Sequence, residues 1–219
     1  MVLTPVQVRN LVAELDEPAR SITWLLVLTG LRIGELLALR WGNVDLKAQL
    51  LRVVETVYDG HFDKPKTKRG MRTIPIGVET AEILAALRPA TVDARNLVFA
   101  KSDLTPLDRW NLLRKHLKPA AKKLGLSGVT WHLLRHSHAT MLDGVGTPIG
   151  TMQALLGHSA PEITREIICT RYRKNNVAQL KAWRGLYLDP NWTQVCAPML
   201  KCQRQFIENK EVSGRGARI

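Results

Sequence analysis

Apolar residues fall at helical spacing along most of this chain and alternate in only a few short stretches. That pattern predicts a mainly helical fold with a small antiparallel sheet inserted. Residues 4–15 read as a first helix, with Thr4 as N-cap and Pro5 in its first turn. Residues 20–28 form an apolar helix closed by Gly30; another starts near Leu31 and buries Ile33, Leu36 and Leu37. The valine-rich alternation of residues 50–57 predicts one strand. Tyr58-Asp59-Gly60 signals a turn, and residues 72–76 predict a strand near a sheet edge, because Pro75 cannot donate to a ladder. Residues 78–87 are helical and stop at Pro89, and residues 96–100 predict a short strand. Residues 106–124 predict one or two helices broken at Pro119. A helix over residues 130–142 is ended by Gly144, and one over residues 149–156 by Gly157. Past Lys201 the chain is polar and glycine-bearing, which predicts disorder.

Charge narrows the partner. Lys and Arg number 32 against 19 Asp and Glu, a formal charge of +13 over 219 residues. Such an excess favours a polyanion, because each phosphate neutralised releases condensed counterions. A generic basic protein, or one that binds anionic membranes, is the blander alternative. The apolar stretch 22–31 is shorter than the roughly 20 residues of a membrane span and lacks the flanks of a signal peptide. Cys169, Cys196 and Cys202 are odd in number and contain no Cys-x-x-Cys pair, so neither a disulfide framework nor a zinc site is expected. A reducing cytoplasm fits that usage.

The candidate chemistry is a series of basic residues. Arg32 follows Gly30 at the start of a helix, where a guanidinium can grip a phosphate with two parallel hydrogen bonds. Its plain alternative is an exposed arginine paired with Glu35 one turn on. His132 and Arg135, three apart, share a helix face and can aim an imidazole and a guanidinium at one point. His136 and His138 raise a metal reading, but the glutamate of His-Glu-x-x-His is missing and Arg135 would repel a cation. Packing or backbone bonding is expected of them instead. His158, in Leu-Leu-Gly-His-Ser, reads alone as a structural cap. Lys64, Lys66, Lys68 and Arg69 lie in Lys64-Pro-Lys-Thr-Lys-Arg-Gly70, a basic loop between two strands that would ordinarily be solvated.

Taken together, the wording resembles the catalytic domain of the tyrosine recombinase (phage integrase) family. Thr-Gly-Leu-Arg-Ile-Gly-Glu, Pro-Lys-Thr-Lys-Arg-Gly-Met-Arg-Thr-Ile-Pro-Ile, His-Leu-Leu-Arg-His-Ser-His-Ala-Thr and Leu-Leu-Gly-His-Ser occur in the family's order between Thr4 and about Glu166. The resemblance implies an integrase-type catalytic domain over residues 1–166, then an altered segment at 167–188 and a tail at 189–219. It implies DNA strand breakage and rejoining through a 3′-phosphotyrosyl intermediate, in site-specific recombination for a mobile element, with no cofactor and no metal. Arg32 and Arg135 match the pair that stabilises the phosphorane. Lys66 matches the lysine that protonates the leaving oxygen, with Lys68 as its competitor. His132 matches the general acid/base, and His158 the second phosphate-binding histidine. Lys64, Lys68 and Arg69 would contact DNA. The implied partner is double-stranded DNA, bound as a homo-tetramer on paired sites, and the implied location is the bacterial cytoplasm at the nucleoid. The family's separate DNA-binding domain ahead of the catalytic one is not expected here.

One position departs from the family. Its tyrosine lies nine or ten residues after the second histidine, where this chain has Ile167 and Ile168. Tyr172, the alternative nucleophile, would sit about 6 Å farther along a regular helix. A codon frame joining the last base of each codon to the first two of the next lets residues 167–185 read as family-like wording, with its tyrosine correctly spaced. A shifted frame, later restored, is therefore expected in the gene, and its nucleotide sequence decides the matter. Codons that cannot give that reading end the idea. The competing function is a catalytically dead DNA-binding remnant; a metal-dependent nuclease ranks behind both.

Overall fold

Reciprocal capping starts the first helix. The Thr4 hydroxyl accepts the Gln7 N–H at 3.3 Å, and Gln7 Oε1 accepts the Thr4 N–H at 2.9 Å. The computed structural model describes residues 2–65 and 70–157. Helix α1 (Pro5–Ala13) buries Val8 and Leu11, and α2 (Ala19–Thr29) is buried along Ile22, Leu25, Leu26 and Leu28. Gly30, left-handed at φ 65°, ends α2. The one-turn helix α3 (Ile33–Leu37) then buries Leu36 and Leu37, while Ile33 is only partly covered.

Strands β1 (Val44–Asp45) and β2 (Leu50–Val53) pair antiparallel. The single strand expected over residues 50–57 is in fact two. Alternation would turn Glu55 inward between Val53 and Val57, and an unpaired carboxylate cannot be buried there. Glu55 instead pairs with Arg40 at 2.6 Å, and β3 (Thr56–Tyr58) starts a separate hairpin with β4 (His61–Asp63). Asp59 and Gly60 at φ 47° and 81° make its two-residue turn. Strand β5 (Arg72–Pro75) joins the first sheet in the order β1-β2-β5, so Pro75 does lie on an edge strand.

Helix α4 (Val78–Leu87) is as predicted. The strand expected over residues 96–100 reduces to single bridges, Arg40 with Leu97 and Ala100 with Pro106. Nor does the chain break at Pro119. Helix α5 (Arg109–Leu112) passes through a π-helical turn (Leu113–Leu117) into α6 (Lys118–Lys123), with helical dihedrals at Leu117 and Lys118. Pro119 is the second residue of α6, directly after the wide turn. Helix α7 (Trp131–Gly144) starts from a Thr130 cap and includes Gly144. The left-handed glycine beyond it is Gly146, at φ 74°. Helix α8 (Ile149–Leu156) ends at left-handed Gly157.

Helix α7 packs along α2, with α8 beside it. The packing is close at Gly30, where an added Cβ would lie 2.4 Å from His138 Cδ2 and 3.0 Å from Leu156 Cδ2. Gly30→Ala is expected to cost about 2–5 kcal/mol, combining a left-handed backbone with overpacking. A urea-unfolding midpoint equal to wild type would refute that. Among the described residues no helix is long and apolar enough to cross a membrane.

Candidate active site

Arg32, Arg135, His132 and Lys64 line one cleft of about 940 Å³, bounded by α3, the β3–β4 hairpin, α5 and the start of α7. Four predicted residues from three segments of chain therefore meet. Lys66, Lys68, Arg69, His158 and Tyr172 lie outside the described residues.

Arg32 makes the Glu35 pair of its plainer sequence reading and still faces the cleft. Its Nη1 pairs with Glu35 Oε1 at 2.8 Å, yet 47% of its side chain stays exposed on the cleft. Glu35 Oε2 also accepts the Arg32 backbone N–H at 2.9 Å, which fixes the turn entering α3. Gly34, next along, lets β3 press onto α3: a Cβ there would meet Thr56 Oγ1 and the Val57 carbonyl at 2.6 Å.

Sequence reasoning missed the second partner of Glu35. Arg72, on β5, forks onto the same carboxylate at 2.8 and 3.1 Å, donates from Nε to the Leu155 carbonyl at 2.7 Å, and is only 6% exposed. Burial pushes the Glu35 carboxyl up, but the hydrogen bonds and charges of Arg72 and Arg32 outweigh it and hold the group at about 2. One buried carboxylate thus orients two arginines from different elements. The available signal was weak: an arginine inside a strand, 37 positions from its partner.

Arg135 is 2% exposed. Its Nη1 donates to the Gly30 carbonyl and its Nη2 to the Leu156 carbonyl, at the C-terminal ends of α2 and α8. Burial and then the charge of Arg32 lower its pKa to about 9, so it remains a cation at neutral pH. Two of its five N–H groups are engaged this way, and others remain for a ligand in the cleft it lines.

His132 is exposed at the first turn of α7, three residues before Arg135. Burial of part of its ring, then the charges of Arg135 and Arg32, hold it below the ordinary imidazole range. A neutral imidazole beside two guanidiniums can accept a proton from an attacking hydroxyl. Its ring meets that of His136 edge-on, centroids 4.3 Å apart. His138, fully buried, does bond to backbone: Nδ1 lies 2.8 Å from the Val27 carbonyl. Burial above all drops both His136 and His138 to about 4, so they stay neutral. Among the described residues no three His, Cys, Asp or Glu side chains group as metal ligands.

The cleft also carries aromatic residues the sequence reading passed over. Tyr58, Trp110 and Trp131 all line it, and Arg109 lies against two of them. What the arrangement offers chemically is several cationic donors and, in His132, a neutral base around a single opening, with His61 and Asp63 also on its wall. That suits a phosphodiester gaining charge during in-line displacement.

Comparison with known proteins gives the family and the fold. The phage integrase family model matches residues 1–176. A tyrosine recombinase XerC-like protein of Caldanaerobacter subterraneus subsp. tengcongensis is 32% identical over 186 residues, covering 73% of this chain and 47% of that one. The integrase of Staphylococcus phage L54a is 30% identical over 158 residues, covering 64% of this chain and 44% of its own. The chain thus spans under half the length of these two relatives. The Tn1549 transposon integrase, solved in complex with transposon right end DNA, shares the fold. Its TM-score is 0.66 at 24% identity, covering 81% of this chain and 66% of that one. On sequence, on fold and on the order of its basic residues, this chain belongs to the phage integrase family.

Proposed function

We propose that the chain acts on double-stranded DNA, breaking and rejoining strands in site-specific recombination through a 3′-phosphotyrosyl intermediate. The convergence of Arg32, Arg135 and His132 on one cleft supports this reading above all else. Arg32 and Arg135 would stabilise the pentacoordinate phosphorane, each such donor being worth about 3 kcal/mol or more. His132, held neutral, would take the proton of the attacking tyrosine hydroxyl. Lys66, or Lys68 in its place, would protonate the departing 5′ oxygen, and His158 would hydrogen-bond the phosphate. No bond energy is lost in the protein–DNA link, so rejoining needs no nucleotide cofactor. Lys64, Lys68 and Arg69 would hold the flanking backbone. The catalytic unit would be residues 1–166, acting as a homo-tetramer on paired sites in a bacterial cytoplasm, at the nucleoid.

A second reading has its own observation. Isoleucines stand at the family tyrosine's spacing, which favours a remnant that binds DNA without cutting it. A nicked suicide substrate separates the two. A covalent adduct lost in Tyr172→Phe supports strand transfer from Tyr172; DNA binding with no adduct in the parent chain supports the remnant.

A further inference from the structure

Tyr58 and Trp110 are 55% and 52% exposed, and both lie on the wall of the cleft. Arg109 touches both rings: its guanidinium carbon is 3.9 Å from the Tyr58 centroid and 5.1 Å from that of Trp110. Its Nε is buried with no hydrogen-bond acceptor, and Asp59 Oδ1 stands 4.0 Å away. The group is held by backbone at each end. Tyr58 enters the tight Asp59-Gly60 turn, Asp108 caps α5 through the Asn111 N–H, and the Arg109 carbonyl accepts Trp131 Nε1–H at 3.0 Å.

The Tyr58 hydroxyl and the Trp110 N–H can each reach a phosphate, but the exposed ring faces cannot bond one. They do match the face of a nucleobase, and the Arg109 guanidinium lying against both rings backs them. Inside a duplex a base keeps its faces covered by its neighbours, so only an unstacked base can use such a surface. We infer that Tyr58, Arg109 and Trp110 form a stacking site for one unstacked base of the DNA in the cleft. The inference rests on the DNA reading above and adds a preference for distorted duplex.

Two otherwise identical duplexes test it with the full chain: one fully paired, one carrying a single bulged 2-aminopurine. The wild-type chain is expected to bind the bulged duplex about tenfold or more tightly, with 2-aminopurine emission quenched. The ratio and the quenching should collapse in the Tyr58→Ala/Trp110→Ala double variant and persist in the Tyr58→Phe/Trp110→Phe variant. A wild-type ratio of one, or a ratio that survives both alanines, overturns the stacking site. Steep salt dependence on the paired duplex reports the DNA reading by itself. If that holds while the ratio is one, only the stacking site falls; if neither duplex binds, both readings fall.

Discussion

Arg135→Ala is expected to destabilise the fold by about 2–6 kcal/mol, because it strands two buried carbonyls at about 1–3 kcal/mol each. Those carbonyls, of Gly30 and Leu156, end α2 and α8, where the helix dipole adds to their demand for a cation. Arg135→Lys keeps the charge but not the fork, so it should recover part of the loss. Urea unfolding followed by circular dichroism measures both, and an alanine variant with the wild-type midpoint would sink the account. The result bears on any activity assay. Loss of strand transfer at Arg135 mixes chemistry with folding, whereas Arg32, 47% exposed, reports chemistry far more cleanly.

Glu35→Gln is expected to cost about 3–5 kcal/mol, since it leaves the guanidinium of Arg72 buried without its counter-charge. The same pairing sets an acid limit. Glu35 is held at about 2 against an ordinary 4.5. The unfolded chain therefore binds a proton more readily than the folded one between those values. The carboxylate's contribution is complete above pH 4.5 and is lost as pH falls towards 2, a change of about 3 kcal/mol. The stability gap between wild type and Glu35→Gln should narrow through that window. A gap constant with pH would refute the shared-carboxylate arrangement.

Local signals were legible where one or two residues decide the geometry. The Thr4 cap, the Asp59-Gly60 turn and the helix-ending Gly30 and Gly157 all follow from side-chain reach or backbone freedom within a few positions. The meeting of Arg32, His132 and Arg135 was legible only through the order of motifs, since each alone has a bland reading. What sequence reasoning missed depends on distant partners. Glu55 splits a strand because Arg40 waits for it, and Arg72 serves Glu35 across 37 positions. Pro119 misled for another reason: a proline rule assumes a uniform helix, and this one changes pitch just ahead of the proline.

That change of pitch has a geometric consequence. The widened turn at Leu113–Leu117 sits between a core-anchored half, with Ala120 and Ala121 buried, and a half that presents Arg109 and Trp110 to the cleft. Each residue of a regular helix turns the chain by about 100°. The wide turn spends one extra residue on about the same rotation, so removing a residue there restores a regular helix with both halves near their seats, whereas removing one from a regular turn on either side swings the cleft half by roughly that angle. The wall of the cleft is thus set by a count of residues as much as by their identity. Length in this segment is a specificity parameter that substitutions alone do not explore.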